Sequence, residues 1–526
     1  MARVVGGLAG GRAWLGLDLG TTNSCAWVSI GGRMKCVVAS DGFHLFPSCV
    51  NYKRDGSIVV GGAARRVIGN RNQSVVINAK RIIGRPFNSP EVQSVKDNCG
   101  SQVVDKRGKP EIYIKSQDKY VTPVEVSTEI LKAIIEEAKM QVECEIGRIC
   151  VTVPANFDEN QRSATLQAVM NCGFSEEQVR LLNEPTAAAI SYGQSNDVDG
   201  KNILVFDFGG GTFDVSILRG KGEGDNAHYQ VLMYKGNNHL GGADIDAILL
   251  DWMINRYREV TGNDLIPASM DEVAKSSFRR KLLALVEKAK IDLSALVSTS
   301  IEVAAILPNS GGDEQDFILT RSVMDDLIRD KVSETLPTIE EALRAAKMSK
   351  HDIDAVILVG GSSRLHVVNE LVENYFGKAK ITNSITKDEC VAQGACLALV
   401  KNYDPDEIIA YSLGQYVNGD EIQCVIPMNS RLPAHESAIT YTACDYMTEA
   451  QTAVYQGKQE IKNATTKETN GIRLAPFSFT GFQKRLAGQV EFKTIFEYDK
   501  QGLLYVTVLE VSNTNRKLLD RKRIEW

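Results

Sequence analysis

No two of the eleven cysteines in this sequence stand in a Cys-x-x-Cys spacing. The odd, scattered set reads as reduced thiols of a cytosol or, alternatively, an organelle matrix, not as a disulfide framework or a zinc site. Long apolar runs are missing too. The longest, such as AVILVGG at 355–361, are strand-length and too short for a membrane helix. Basic charge is not in excess: 60 Lys and Arg against 66 Asp and Glu leave a formal net charge of −6. That balance speaks against a general binder of nucleic acid or anionic membranes. No G-x-x-x-x-G-K-[ST] occurs, so the P-loop route to holding nucleotide phosphates is closed.

What is present describes a soluble globular protein, 43% hydrophobic and 24% charged. A chain of 526 residues exceeds one ordinary core and predicts two or more domains. The opening MARVVGGLAGGRAW has two arginines and no acid; it reads as a plain leader, with an organelle-targeting remnant as the alternative. To about residue 400, strand-like and helix-like segments alternate, the mark of α/β architecture. Thr122, Pro123 and Glu125 start a helix as a capping box, with Val126, Ile130, Ile134 and Ala138 on one face. The strand ICVTV (149–153) follows, and helical patterns recur around 158–171, 281–293 and 333–346. After NYDPDE (402–407) the character changes to short strand-forming runs, clearest in a hairpin at 490–511 that turns between Asp499 and Gly502. The expected organisation is a leader at 1–14, an α/β domain at 15–402, a short linker at 403–411 and an all-β sandwich at 412–526.

Two stretches share a pattern. LVFDFGGGTFDVSIL (204–218) and LGLDLGTTNSCAWVSI (15–30) each run apolar strand, aspartate, glycine turn, threonine, strand. A third glycine turn, AVILVGGSSRLHVV (355–368), leads into a helical pattern. Glycine turns leave backbone N–H groups free to point at phosphate oxygens, and an aspartate ending each strand can hold hydrated Mg²⁺. One copy alone reads equally well as a glycine hairpin. Two matched copies predict a pair of jaws on a polyphosphate. A Rossmann fingerprint fits poorly, because the glycine triplet opens a strand and not a helix.

DLGTTNS, RLLNEPTAAAISYG, VFDFGGGTFDVSIL, HLGGADID and VILVGGSSRL together resemble the heat-shock protein 70 family of the DnaK type. The resemblance implies a two-lobed, actin-like (duplicated ribonuclease H-like) α/β ATPase joined by a linker to a β-sandwich that grips extended peptide. It implies ATP and Mg²⁺ as ligands. Asp18 and Asp207 then match the carboxylates that hold the ion, mostly through water. Gly20, Thr21, Thr22 and Asn23 match one phosphate turn, and Gly209, Gly210, Gly211 and Thr212 the other, with Asp214 completing the site. Lys80 matches the lysine that orients the attacking water, and Glu184 a carboxylate acting through water near the metal. Glu287, Lys290 and Ser294 match nucleoside contacts, Gly360, Gly361, Ser362 and Arg364 the second nucleoside turn, and Asp388 a position near ribose and phosphates.

The sequence departs from the family downstream. Only Ile408 and Ile409 stand as apolar linker residues. Gln415, Asn418, Thr440 and Thr452 replace apolar pocket positions, and Ala450 replaces a central valine. Each loss is worth roughly 1–3 kcal/mol of peptide binding. The helical lid that usually follows the sandwich has no counterpart in the sequence, which implies fast peptide exchange. The expected function is an ATP-hydrolysing chaperone acting on unfolded polypeptide clients, with J-domain and nucleotide-exchange partners. The alternative is an ATP-binding regulatory pseudo-chaperone with weak or no peptide grip; a sugar kinase on the same fold is a third reading.

Overall fold

The computed structural model describes residues 12–70, 73–237, 240–307, 317–382, 385–417, 421–457, 464–465, 472–474, 477–512 and 515–524. The expected leader lies mostly outside these residues. Its end does not: the first strand begins at Ala13, whose N–H bonds the Glu145 carbonyl at 3.0 Å.

Strand Ala13–Asp18 lies parallel to Ile146–Val153 and antiparallel to Asn23–Ile30. Val179–Asn183 extends one side of this sheet, and Arg33–Cys36 and Leu45–Pro47 pair with Asn23–Ile30 on the other. A second sheet repeats the plan. Asn202–Phe208 is antiparallel to Phe213–Lys221 and parallel to Ala355–Val359, with His228–Asn237 at the far side. Each glycine turn thus closes a hairpin at the end of a central, buried strand, which is why those strands read as apolar runs and not as alternation.

Local signals set the helices. Pro123–Val142 carries the Thr122–Glu125 capping box, and Glu159–Met170 has one from Asp158 and Gln161. The pattern near 281–293 belongs to a longer helix, Glu272–Leu293, capped by Asp271. The pattern at 333–346 is Thr335–Ala345, separated from Arg321–Ser333 by a break at Glu334. Helices Glu184–Gly193 and Cys390–Val400 pack between the two sheets, in a core that includes Ala187, Ile190, Val205, Ile357 and Ala395. They approach closely: a Cβ on Gly394 would lie 1.8 Å from the Ala187 carbonyl oxygen.

Beyond residue 411 two sheets enclose a separate core of Leu413, Val454, Phe477, Phe496 and Val506. Ser412–Val417 sits centrally in one sheet; Glu491–Tyr498 and Leu504–Ser512 form the expected hairpin in the other, joined through Gly502 at φ 75°. The segment before the sandwich is ordered against both bodies. Asp406 exchanges backbone hydrogen bonds with Tyr229 and Val231, extending the second sheet, and Ile409 does so with Ser430 and Asn429 of the sandwich. Ile408 is buried in the core between the lobes and Ile409 in the sandwich core. The sandwich also packs on the first lobe. Leu503 joins that lobe's core, Gln501 accepts from the Leu181 N–H at 2.8 Å, and Arg523 pairs with Glu176 at 2.6 Å.

Candidate functional site

The two glycine turns face each other across a cleft of about 340 Å³. Its walls bring together Asp18, Gly20, Thr21, Thr22, Asn23, Lys80, Glu184, Asp207, Gly209, Gly210, Gly211, Thr212, Glu287, Lys290, Ser294, Gly360, Gly361, Ser362, Arg364 and Asp388. These span most of the α/β chain, and only the facing of the two sheets collects them.

Asp214 is the exception. It is buried at the second position of strand Phe213–Lys221, accepts from Asn156 Nδ2 at 2.8 Å and abuts Gly236, and it is absent from the cleft wall. Asp214 stands directly opposite Asp207 in the ladder, on the same face, one pair further from the turn than Phe213, and its charge reaches Asp207 from there.

The glycines answer to protein neighbours as well as to any ligand. The Gly20 position leaves 1.9 Å between an added Cβ and the Asn23 carbonyl, and at Gly360 φ is 82°. Gly210 faces Thr22 of the opposite jaw, where a Cβ would come within 2.6 Å of the hydroxyl. Carbonyls of Gly209 and Gly210 accept from the N–H groups of Gly242 and Ala243, tying the turn to helix Gly242–Thr261.

At the floor, Lys80 Nζ donates to Glu184 Oε1 at 2.7 Å, both nearly buried. Burial, and then the Glu184 carboxylate, push Asp18 up to about 7, although Lys80 and the Thr152 hydroxyl oppose this. Burial, Glu184 and Asp214 drive Asp207 well above the carboxylate range. Burial works to lower Lys80, but Glu184, Asp18 and Asp207 overcome it, and the ammonium is held above its ordinary value. Three carboxyl groups therefore surround one cation, an arrangement short of positive charge.

At the far end Lys290 pairs with Asp246 at 2.7 Å, Ser362 donates to the Gly209 carbonyl at 2.9 Å, and Arg364 pairs with Asp388. The sequence reading overlooked Arg65, which spans the rim between Asn23 and Glu287, and Lys387, which donates to the Ser363 carbonyl. Lys387 adjoins Asp388 and was within reach of the same motif; nothing in the sequence marks Arg65.

Asn183, beside Glu184, leads out of the cleft. It donates to Glu407 at 2.7 Å and accepts from Arg162 at 2.7 Å, and Arg162 donates to the Gln501 carbonyl of the sandwich. Tyr234 also donates to Glu407. In the sandwich, Gln415 and Thr452 are buried, while Ala450 is half-buried opposite Phe479. Thr440 is half-buried, and Asn418 lies outside the described residues.

A duplicated sheet-and-hairpin plan, two glycine turns facing across a cleft, and a β-sandwich docked on one lobe define an actin-like ATPase fold with an appended β domain. A family model described as Hsp70 protein matches residues 14–522. A relative described as chaperone protein dnaK, from Cyanidioschyzon merolae (strain NIES-3377 / 10D), is 35% identical across 97% of this chain and 83% of its own length. The chain belongs to the Hsp70 family, and it is a chaperone of the Hsp70 type.

Proposed function

We propose that the chain hydrolyses ATP in this cleft and uses turnover to control its hold on extended polypeptide segments. The observation that carries this reading is the facing of the two glycine turns, one per lobe, across Asp18, Asp207, Glu184 and Lys80. The donor set fits a magnesium ion, because the carboxylates offer hard oxygen ligands and exceed the single ammonium in charge. Asp18 and Asp207 would hold it, largely through water, and when bound it neutralises phosphate charge.

The chain's own groups do the positioning that phosphoryl transfer requires. The turns at 20–23 and 209–212 cradle the phosphates, and the Thr212 hydroxyl steadies the terminal one. Lys80, oriented by Glu184, aligns the attacking water and offsets charge as it develops. Glu287, Lys290 and Ser294 hold the nucleoside against the Gly360–Arg364 turn, and Asp388, through Arg364, closes the ribose end. The path Glu184, Asn183, Glu407 supports coupling to the sandwich, because it joins the cleft to the linker by hydrogen bonds. Unfolded clients, a J-domain co-chaperone and a nucleotide-exchange factor are the partners this reading implies.

Steady-state ATP turnover with and without apolar peptides tests it. Peptide-stimulated turnover is expected; tight ATP binding with turnover indifferent to peptide would overturn it in favour of an ATP-binding regulator of another chaperone. Lys80→Ala is expected to abolish turnover and retain ATP binding. Normal turnover in that variant would refute the assignment of Lys80.

A further inference from the structure

Strand Asn23–Ile30 has two short strands along one side, Arg33–Cys36 and Leu45–Pro47, with Cys36 opposite Trp27 and Leu45 opposite Cys25. The turn between them returns Cys36 and His44 to neighbouring positions. Glu389, immediately before helix Cys390–Val400, meets them there: His44 Nδ1 lies 2.9 Å from Glu389 Oε1, and the Cys36 sulfur, a His44 ring nitrogen and a Glu389 oxygen all lie within 4.8 Å of one another. Among the described residues it is the only such His, Cys and carboxylate group.

We propose that Cys36, His44 and Glu389 form a binding site for a zinc-class divalent cation at the rim of the cleft. One sulfur, one nitrogen and one oxygen donor suit zinc, which takes three protein ligands and keeps a fourth position open. Magnesium and calcium are excluded by the thiolate, since both prefer oxygen ligands alone. Tetrahedral zinc with ordinary bond lengths separates its donors by about 3.5 Å. The His44–Glu389 pair therefore opens slightly and Cys36 moves in, which the half-exposed His44 side chain permits. Cys25 supports the sulfur from behind. It is 1% exposed and lies beside Cys36, whose thiol donates to the Ala26 and Val37 carbonyls at 3.5 and 3.6 Å; a bound cation would displace that proton. The alternative is an ordinary surface His–Glu pair with a thiol nearby, worth little by itself. The expectation of no zinc site rested on Cys-x-x-Cys spacing, and these ligands are separated by 345 residues between His44 and Glu389.

The test is a cobalt(II) titration of the reduced full-length chain in excess Mg²⁺, which occupies oxygen-only sites. One equivalent is expected to produce near-ultraviolet thiolate-to-cobalt absorption that zinc displaces. Cys36→Ser should abolish the band, and His44→Ala and Glu389→Gln should weaken cobalt binding at least tenfold. Cys444→Ser, which alters an exposed cysteine elsewhere, should leave it intact. Matching circular dichroism and melting of the His44→Ala chain guard against misfolding. No charge-transfer band, or one that survives Cys36→Ser or is indifferent to His44→Ala, would overturn the proposal and leave the ordinary ion pair.

Discussion

Gln415 shows how much one side chain decides. It is 2% exposed in the central strand Ser412–Val417, and its side-chain oxygen accepts no hydrogen bond among the described residues. A buried polar atom left unpaired costs about 1–3 kcal/mol. The same amide is buried at a position where the family resemblance implies an apolar residue beneath the peptide. Gln415→Ile is expected to stabilise the sandwich by about 1 kcal/mol and to tighten an apolar peptide about tenfold, or about 1.4 kcal/mol. Fluorescence anisotropy with a labelled apolar peptide reads the second effect; unchanged affinity would place Gln415 outside the grip.

Elements meet on similarly fine margins. Helices Glu184–Gly193 and Cys390–Val400 hold the two sheets together, and Gly394 lies directly against the Ala187 carbonyl. A methyl there meets backbone on a neighbouring helix and cannot rotate away. Gly394→Ala is expected to cost about 2 kcal/mol or more, seen as a lower urea midpoint. A midpoint within error of the parent would show that the helices separate freely. Such a variant also moves Glu184, so ATP affinity should fall with stability. The helix starts themselves were legible: the Thr122 box depends on two side chains within one turn. The break at Glu334 was not, because both flanking segments carry amphipathic periodicity that runs through the junction.

At the scale of the whole molecule, the docked sandwich buries Glu159. Its N–H donates to Gln456 at 2.9 Å, and Tyr498, Asp499 and Leu504 of the sandwich surround the carboxyl. Burial raises Glu159 well above the carboxylate range, only partly offset by the Leu504 backbone and Arg162. A raised pKa in the docked state means that docking binds a proton. The contribution is fully present below the ordinary glutamate value of about 4.3 and is lost as pH rises toward the docked value. Small-angle scattering should therefore show a compact chain in acid and a mean radius that grows as pH rises. Glu159→Gln removes the charge and should keep the chain compact throughout. Identical profiles for the two would place the carboxyl outside the docking equilibrium.

Chemistry that repeats within a few residues was determined by the sequence itself. The two glycine turns, their aspartates, the capped helices and the change to β structure after residue 402 all depend on neighbours along the chain. Tertiary structure alone decided what faces what. It buried Asp214 against Asn156, stretched Arg65 across the rim, and sent Ile408 and Ile409 into two different cores. It also brought Cys36 and His44 to Glu389. Such contacts arise from sheet register and from the packing of one sheet against another, between residues that sequence spacing leaves unrelated.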